Sequence, residues 1–439
     1  MAQQPDLGTD TSGSERLHRD GLDVFPGGVS HNVRYADPYP IYLEESEGPF
    51  VRDVDGNEYV DLWNDHGASL LGHAPPTVVE AVQAQAEKGL HFGAANEPAL
   101  ELGRRVIDWV PSAERMRYCV TGTEATMYAV RLARAHTGRS RVLKVEGGWH
   151  GGNTDLSVAV HAPFDSPTST GLPPGAAEHC HAFELNDRDS VTELFEDYRG
   201  EIAAAIVDPR QAGTEPANDF LEFLVDTCED EGALFVFDEV VTGFRVAPGM
   251  YQSRVGITPD LTTMGKIIGG GMPVGALAGR ADLFEPARPD NDTSPSDRVL
   301  AGGGTFSTDP LTAAAGLATL DVIENEPVYD HTEALGEHLR EGLDAAFEES
   351  GVNGQTLGFS SLIQPVFNAE RALDSPTDVK EATDGAAVAE YHRRLLDHGY
   401  YFNRGSMGNV SYAMTEAQVD GLIEATRTVT AEMKADDHL

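Results

Sequence analysis

Short runs of apolar, β-branched residues alternate with helix-patterned stretches through the middle of the chain, and this constrains its fold more than any other feature. Buried parallel strands joined by crossover helices give such a pattern. Tyr118–Val120, Val142–Val145, Ile202–Val207, Leu234–Phe237, Leu261–Thr263 and Val274–Ala278 are predicted strands. Glu124–His136, Phe220–Glu231 and Thr312–Glu324 are predicted helices. Together they predict one large α/β domain over residues 74–320. Phe50–Leu62 (FVRDVDGNEYVDL) predicts a hairpin turning at Asp55-Gly56. It belongs to a smaller α+β lobe made from both ends of the chain, residues 16–73 and 321–439. Residues 1–15, MAQQPDLGTDTSGSE, predict a frayed polar tail without the basic and apolar regions of a signal peptide. Pro163–Gly175 (PFDSPTSTGLPPG) predicts a loop, either open to solvent or serving as a mobile lid.

Charge narrows the partners. The chain carries 72 acidic and 31 basic residues, a formal charge of −41. So acidic a surface repels nucleic acid and anionic membranes, and it suits a salt-rich cytoplasm. Nothing apolar approaches the roughly 20 residues needed to span a bilayer. Cys119, Cys180 and Cys228 are widely spaced, giving neither a disulfide framework nor metal-ligand spacing, so a reducing interior is expected. His31, His66, His73, His91 and His150 are scattered, and no metal site is expected from them.

Four motifs fall at predicted strand ends. In LTTMGKIIGGG, Lys266 follows a strand directly and precedes a glycine run that lets backbone turn beside a ligand. Desolvation there would free its lone pair for carbonyl chemistry, although a surface-loop lysine fits the same residues. The other lysines, Lys88, Lys144, Lys380 and Lys434, look ordinary. In ALFVFDEVVTGFR, Asp238 emerges from a fully apolar strand, where a carboxylate needs a partner. A protonated ring nitrogen would serve, as would a helix cap or a salt bridge. In YCVTGTEATMYAVRLARAH, Thr121-Gly122-Thr123 sits at a helix start and makes either a phosphate cup or a plain N-cap. In EGGWHGG, Trp149 and His150 stand in a glycine-flanked loop, where an aromatic either stacks on a flat ring or packs in the core. A phosphate cup, a stacking ring, a carboxylate for a ring nitrogen and an amine for an aldehyde fit one ligand.

The series TGTEATMYAVRLARAHTGR, EGGWHG, VFDEVVTGFR, TTMGKIIGGGMPVGA and GGGTFSTDPLTAAAG resembles the class III aminotransferases of the fold-type-I pyridoxal-phosphate superfamily. With the N-terminal PGGVSHNVR, it looks most like the glutamate-1-semialdehyde 2,1-aminomutase branch, over about residues 22–429. The resemblance implies pyridoxal 5′-phosphate as cofactor, a mostly parallel mixed sheet flanked by helices in the large domain, and a homodimer with shared active sites. It implies that Lys266 carries the cofactor's aldehyde and moves the substrate proton, that Asp238 holds the pyridine nitrogen, and that His150 is among the residues around the cofactor. Thr121, Gly122 and Thr123 would hold the phosphate, helped by Thr305 from the neighbouring subunit. Trp149 and Val240 would cover the two ring faces, and Arg34 would grip a substrate carboxylate.

The departures from the branch lie around the substrate. A substrate-contacting Ser is replaced by His31 and a pocket Trp by His66. An acidic residue is missing near Arg404–Gly408, Val120 replaces an Asn, and Asp208-Pro209-Arg210-Gln211-Ala212-Gly213 replaces Glu-Pro-x-x-Gly-Asn. The resemblance therefore implies amino-group transfer between an amino acid and an oxo or aldehyde substrate. An aminotransferase with an altered pocket is favoured over the mutase itself, which must retain its intermediate within intact walls. A non-catalytic binding protein on the same fold is the alternative of another class.

Overall fold

Seven strands at the centre of the chain form one sheet: β1 (Arg115–Cys119), β2 (Arg141–Val145), β3 (Cys180–Phe183), β4 (Ile202–Val207), β5 (Leu234–Glu239), β6 (Leu261–Gly265) and β7 (Gly275–Gly279). The computed structural model describes residues 9–439 except 163, 165, 174 and 369–371. The sheet order is β1-β7-β6-β5-β4-β2-β3. Only β7 is reversed, antiparallel to β1 and β6, while the other neighbours pair in parallel. Every residue of β4, β5, β6 and β7 is buried, as expected of strands covered on both faces. Because the parallel strands share a direction, β1, β2, β4, β5 and β6 all deliver their C-terminal residues to one edge, where α/β sheets bind ligands.

The sheet belongs to the larger of two compact units, Pro76–Tyr329 with Arg371–Glu381. Its helices start and stop on local signals. Gly122–Thr137 begins with a capping box, in which Thr121 accepts from the Glu124 amide and the Glu124 side chain closes back on the Thr121 amide. It ends on the left-handed Gly138. Pro310–Asn325 is capped by Asp309, whose carboxylate accepts from the Thr312 amide at 2.9 Å. The loop predicted over Pro163–Gly175 includes Pro163, Asp165 and Pro174, which lie outside the described residues. Two of its described residues are tied down: the Ala159 amide donates to Ser166 at 3.1 Å and the Thr168 amide to Ser157 at 2.9 Å.

The other unit comprises Met1–Pro75, Asp330–Glu370 and Ala382–Leu439. It is α+β. Leu43–Glu47, Phe50–Asp53 and Glu58–Asp61 form an antiparallel meander, and Tyr400–Tyr401 adds in parallel. A second sheet joins Gly354–Leu357, Leu362–Phe367 and Gly408–Asn409. Its core packs Leu339, Leu343, Phe347, Phe367, Tyr391 and Val429. These boundaries depart from the expected ones at residues 73/74 and 320/321, and Arg371–Glu381 joins the sheet-bearing unit instead of the C-terminal lobe. The expected tail is also shorter. A helix, Ser12–Gly21, begins inside it because Asp55 in the hairpin turn accepts from the amides of Gly13 at 2.6 Å and Ser14 at 3.0 Å. Among the described residues, no helix is long and apolar enough to cross a membrane.

One close approach fixes the turn after β6. A Cβ on Gly316, inside the helix Pro310–Asn325, would lie 2.1 Å from the Ile268 carbonyl. Alanine at a helix interior otherwise gains up to about 1 kcal/mol over glycine. Here the clash reverses the sign, and Gly316→Ala is expected to cost about 1–3 kcal/mol in thermal or denaturant unfolding.

Candidate active site

Asp238 is the penultimate residue of β5 and is buried, so its carboxylate must be satisfied where it stands. Register supplies one partner: Asp238 lies opposite Thr263 on β6, whose hydroxyl donates to Oδ1 at 2.8 Å. The turn after β5 supplies another, the Val240 amide at 3.2 Å. The loop after β2 supplies the third, His150, whose Nδ1 is 2.7 Å from Oδ2. An ionised carboxylate only accepts, so Nδ1 is the donor in that pair. Burial works to raise the Asp238 carboxyl, but His150, Thr263 and the Val240 amide outweigh it and hold it below the usual range. Asp208, at the end of β4, goes the other way. Burial and the Asp238 charge push its carboxyl up against the pull of Arg210. The edge thus favours one fixed anion over two.

Lys266 follows β6 directly and takes a left-handed backbone, φ 52°. A β-branchless but non-glycine residue there stores about 1–3 kcal/mol of strain that the surrounding packing must hold. Burial pulls its amine down to about 8, helped by the Arg210 and Arg245 cations and opposed by Asp238 and Asp208. Arg245 is fully buried and itself drawn down to about 10 by burial and by Arg210.

Gly122 and Thr123 open the helix after β1, and their amides have no partner within it. The Thr121 hydroxyl is taken up by the cap, accepting from the Glu124 amide at 3.2 Å. Close approaches gather this helix end with the rest of the site. A Cβ on Gly122 would lie 2.8 Å from Val240, and one on Gly265 would lie 3.2 Å from it. A Cβ on Gly151 would lie 2.3 Å from the Thr123 hydroxyl. So Gly122, Thr123, His150, Asp238, Val240 and Lys266, far apart in sequence, meet at one sheet edge. Trp149 is in the same loop as His150 and is 49% exposed. Thr305 is exposed in the segment before the helix Pro310–Asn325, and no hydrogen bond links it to this group.

His31, Arg34 and His66 lie in the other unit and line one cavity of about 500 Å³ with Asp61, Trp63 and Tyr401. Arg34 donates to the Ser30 hydroxyl at 2.7 Å, and His31 Nδ1 accepts from the Val33 amide at 3.1 Å. His66 has a positive φ of 63°, and its ring centroid is 4.5 Å from that of Trp63.

Sequence reasoning passed over Thr263, Arg210, Gln211 and Lys144. Thr263 was within reach, since strand alternation puts it, three residues before the lysine, on the face of Gly265. Lys144 was read as ordinary but is fully buried. Gln211 Nε2 and His150 Nε2 are buried and find no partner among the described residues. A Cβ on Gly148 would lie 3.0 Å from His150 Nε2 and 3.5 Å from Gln211 Nε2.

The donor chemistry of this edge fits pyridoxal phosphate. A helix N-terminus offers amides to a phosphate, a buried and fully hydrogen-bonded carboxylate can hold a ring N–H, and the Val240 side chain offers an apolar wall. Lys266 offers an amine that is largely neutral above about pH 8. Below that value the proton occupies its lone pair; above it the lone pair is free. Cofactor uptake by the apoenzyme, followed by visible absorbance, is therefore expected to quicken as pH rises through about 8 and then level off.

The family Aminotransferase class-III matches residues 32–363. The chain is 40% identical over 446 residues to the glutamate-1-semialdehyde 2,1-aminomutase of Halobacterium salinarum, covering 94% of this chain and 98% of that one. An omega-transaminase from Sphaerobacter thermophilus superposes with a TM-score of 0.87 at 31% identity, covering 96% of this chain and 98% of that one. A β-phenylalanine aminotransferase from Variovorax paradoxus gives 0.87 at 30%, covering 97% and 95%. The chain belongs to the class III aminotransferases, which use pyridoxal phosphate to move amino groups.

Proposed function

We propose that this enzyme is an aminotransferase, passing an amino group from an amino acid to a separate oxo or aldehyde acceptor, with Lys266 as its catalytic base. The observation that carries amino-group chemistry is Lys266, an amine drawn down to about 8, at the strand end beside the buried, hydrogen-bonded Asp238. The choice of aminotransferase over mutase rests on the cavity of about 500 Å³ in which His31 and His66 accompany Arg34. Two imidazoles there change the walls on which retention of an intermediate depends. The relatives at 40% identity support the mutase reading, glutamate-1-semialdehyde to 5-aminolevulinate, and it is the second candidate.

When bound, the cofactor withdraws electrons from the amine-bearing carbon and so acidifies its C–H bond. Asp238, kept ionised by His150 and Thr263, holds the ring nitrogen in its protonated form. The Gly122 and Thr123 amides hold the phosphate, with Thr121 shaping the turn and Thr305 of a second subunit completing the cup. Val240 would offer an apolar wall to one face of the ring and Trp149 would serve the other. Lys266 Nζ would take the proton from the amine-bearing carbon of the substrate and hold it for return, acting as base and then acid. Arg34 grips the substrate carboxylate with two parallel N–H donors, and His31 and His66 read the rest of the substrate.

A homodimer is part of this reading. Leu90, Phe92, Leu100, Leu300 and Phe306 are exposed on the sheet-bearing unit, as surface meant for another chain would be. The charge of −41 fits work in a high-salt cytoplasm, and the melting temperature is expected to rise with KCl.

The discriminating experiment gives glutamate-1-semialdehyde to the pyridoxamine-phosphate form in high-salt buffer with no other acceptor. No 5-aminolevulinate is expected, while added amino acids shift the visible band of the pyridoxal form in half-reactions. Steady conversion to 5-aminolevulinate would replace the transferase by the mutase. Lys266→Ala is expected to lose at least about 100-fold in the half-reaction rate, and full multiple-turnover activity in that variant would refute the assigned base.

A further inference from the structure

Lysine is scarce here, five residues among 31 cations, yet two of the five are spent on one loop. Lys144 in β2 is fully buried, and its Nζ donates to the carbonyls of Gly148 at 2.7 Å, Leu156 at 3.2 Å and Val158 at 2.8 Å. Lys380 donates to the Gly147 carbonyl at 3.2 Å and to the Val160 carbonyl. It also sits 5.2 Å from the centroid of the Phe164 ring. Neither ammonium is paired with a carboxylate among the described residues. Burial alone accounts for most of what pulls both amines down to about 8. Lys380 is an exposed residue, but Lys144 is fully buried; a buried cation without a counter-ion is costly, so the carbonyls that Lys144 serves must matter.

Those five carbonyls all belong to loop 147–160. Its ends are joined by the Gly147 amide, which donates to Ala159 at 2.8 Å, but its interior is irregular and leaves carbonyls that no amide answers. An ammonium directs three donors outward from one point, which suits three converging carbonyls; the flat fork of arginine does not. This explains a lysine at 144 in a chain that elsewhere prefers arginine.

Lys380 arrives on a strap. Its helix, Pro376–Ala382, follows a segment that docks on the ends of β2 and β3. Ser375 donates to Glu184 at 3.1 Å, Thr377 donates to Glu146 at 2.7 Å, and the Asn186 side chain donates to the Asp374 carbonyl at 3.0 Å. Arg371–Glu381 therefore belongs to the sheet-bearing unit although the chain on either side of it does not.

We propose that Lys144 and Lys380 are positioning residues that clamp loop 147–160 by its carbonyls, keeping His150 on Asp238 and Gly151 against Thr123. Neither touches the reacting atoms. Their effect runs through the loop: if it slackens, Asp238 loses its histidine and the helix end loses the backbone packed against it. The step from loop to cofactor rests on the reading above; the clamping of the loop does not.

Hydrogen–deuterium exchange of the full-length, cofactor-loaded enzyme without substrate tests the clamp. In Lys380→Met, exchange within 147–160 is expected to rise at least tenfold. The central strands Ile202–Val207 and Leu234–Glu239 should keep their protection, and cofactor release, read from the visible band, should quicken severalfold. Lys380→Arg should restore most of the protection, because a guanidinium can still reach two carbonyls, whereas Lys144→Arg should not. Unchanged exchange in the loop of Lys380→Met, or a rise spread evenly over the whole unit, would overturn the proposal. If Lys144→Met fails to fold, the Lys380 pair decides alone. A slackened loop with unchanged cofactor release would confine the clamp to structure and overturn its role at the site, with the substrate assignment untouched.

Discussion

Burying the Asp238 carboxylate at the end of β5 is the constraint around which the site is arranged. An unpaired buried anion is among the most expensive features a protein can hold. Its three partners come from three separate places: a neighbouring strand through register, the following turn through an amide, and a distant loop through His150. A one-residue slip between β5 and β6 would turn the Thr263 hydroxyl to the opposite face of the sheet. The carboxylate therefore enforces the sheet register, the turn and the loop together. Removing one partner of such a group typically costs 3–5 kcal/mol.

The surroundings invert the charge of the chain as a whole. A chain of formal charge −41 holds an edge where Arg210 and Arg245 stand close enough to Lys266 to help pull its amine down. Asp208 yields its charge more readily than Asp238, so the cations are not fully cancelled. Such a setting favours an anionic ligand and keeps one amine poised near neutrality. The capping box works the other way, since Glu124 places a carboxylate on the amides of Val120 and Thr121. A phosphate at this helix end would be left with the next two amides of the helix.

Much of this was legible in the sequence, because the strands that carry the site are buried on both faces and so are unbroken apolar runs. Ile202–Val207 has the ends its composition predicts, while the strands leading to Asp238 and Lys266 start where predicted and run two residues beyond the expected Phe237 and Thr263, to Glu239 and Gly265. Cys180–Phe183 escaped notice because CHAF is short, lies at the sheet edge and is only half-buried in its middle. The helix after β1 starts two residues before the predicted Glu124, since its capping box recruits Gly122 and Thr123. Lys144 was invisible as a buried group: a run such as RVLKV places a cation in a strand but does not reveal that a loop will fold three carbonyls onto it. Likewise, nothing local at Ser375–Lys380 tells that this stretch leaves its neighbours to join the sheet-bearing unit.

That last feature has a bearing on how the protein is made. Gly147 and Lys380 are 233 residues apart. At roughly 5–20 residues per second, a ribosome needs on the order of 10–50 s to go from one to the other. During that interval the central strands can pair, but the loop that brings the histidine to Asp238 has only half of its anchors. The nascent chain therefore acquires its sheet well before its completed cofactor seat. A cofactor arriving early would meet a half-tethered loop, so lasting capture would wait until Lys380 has been made and folded back.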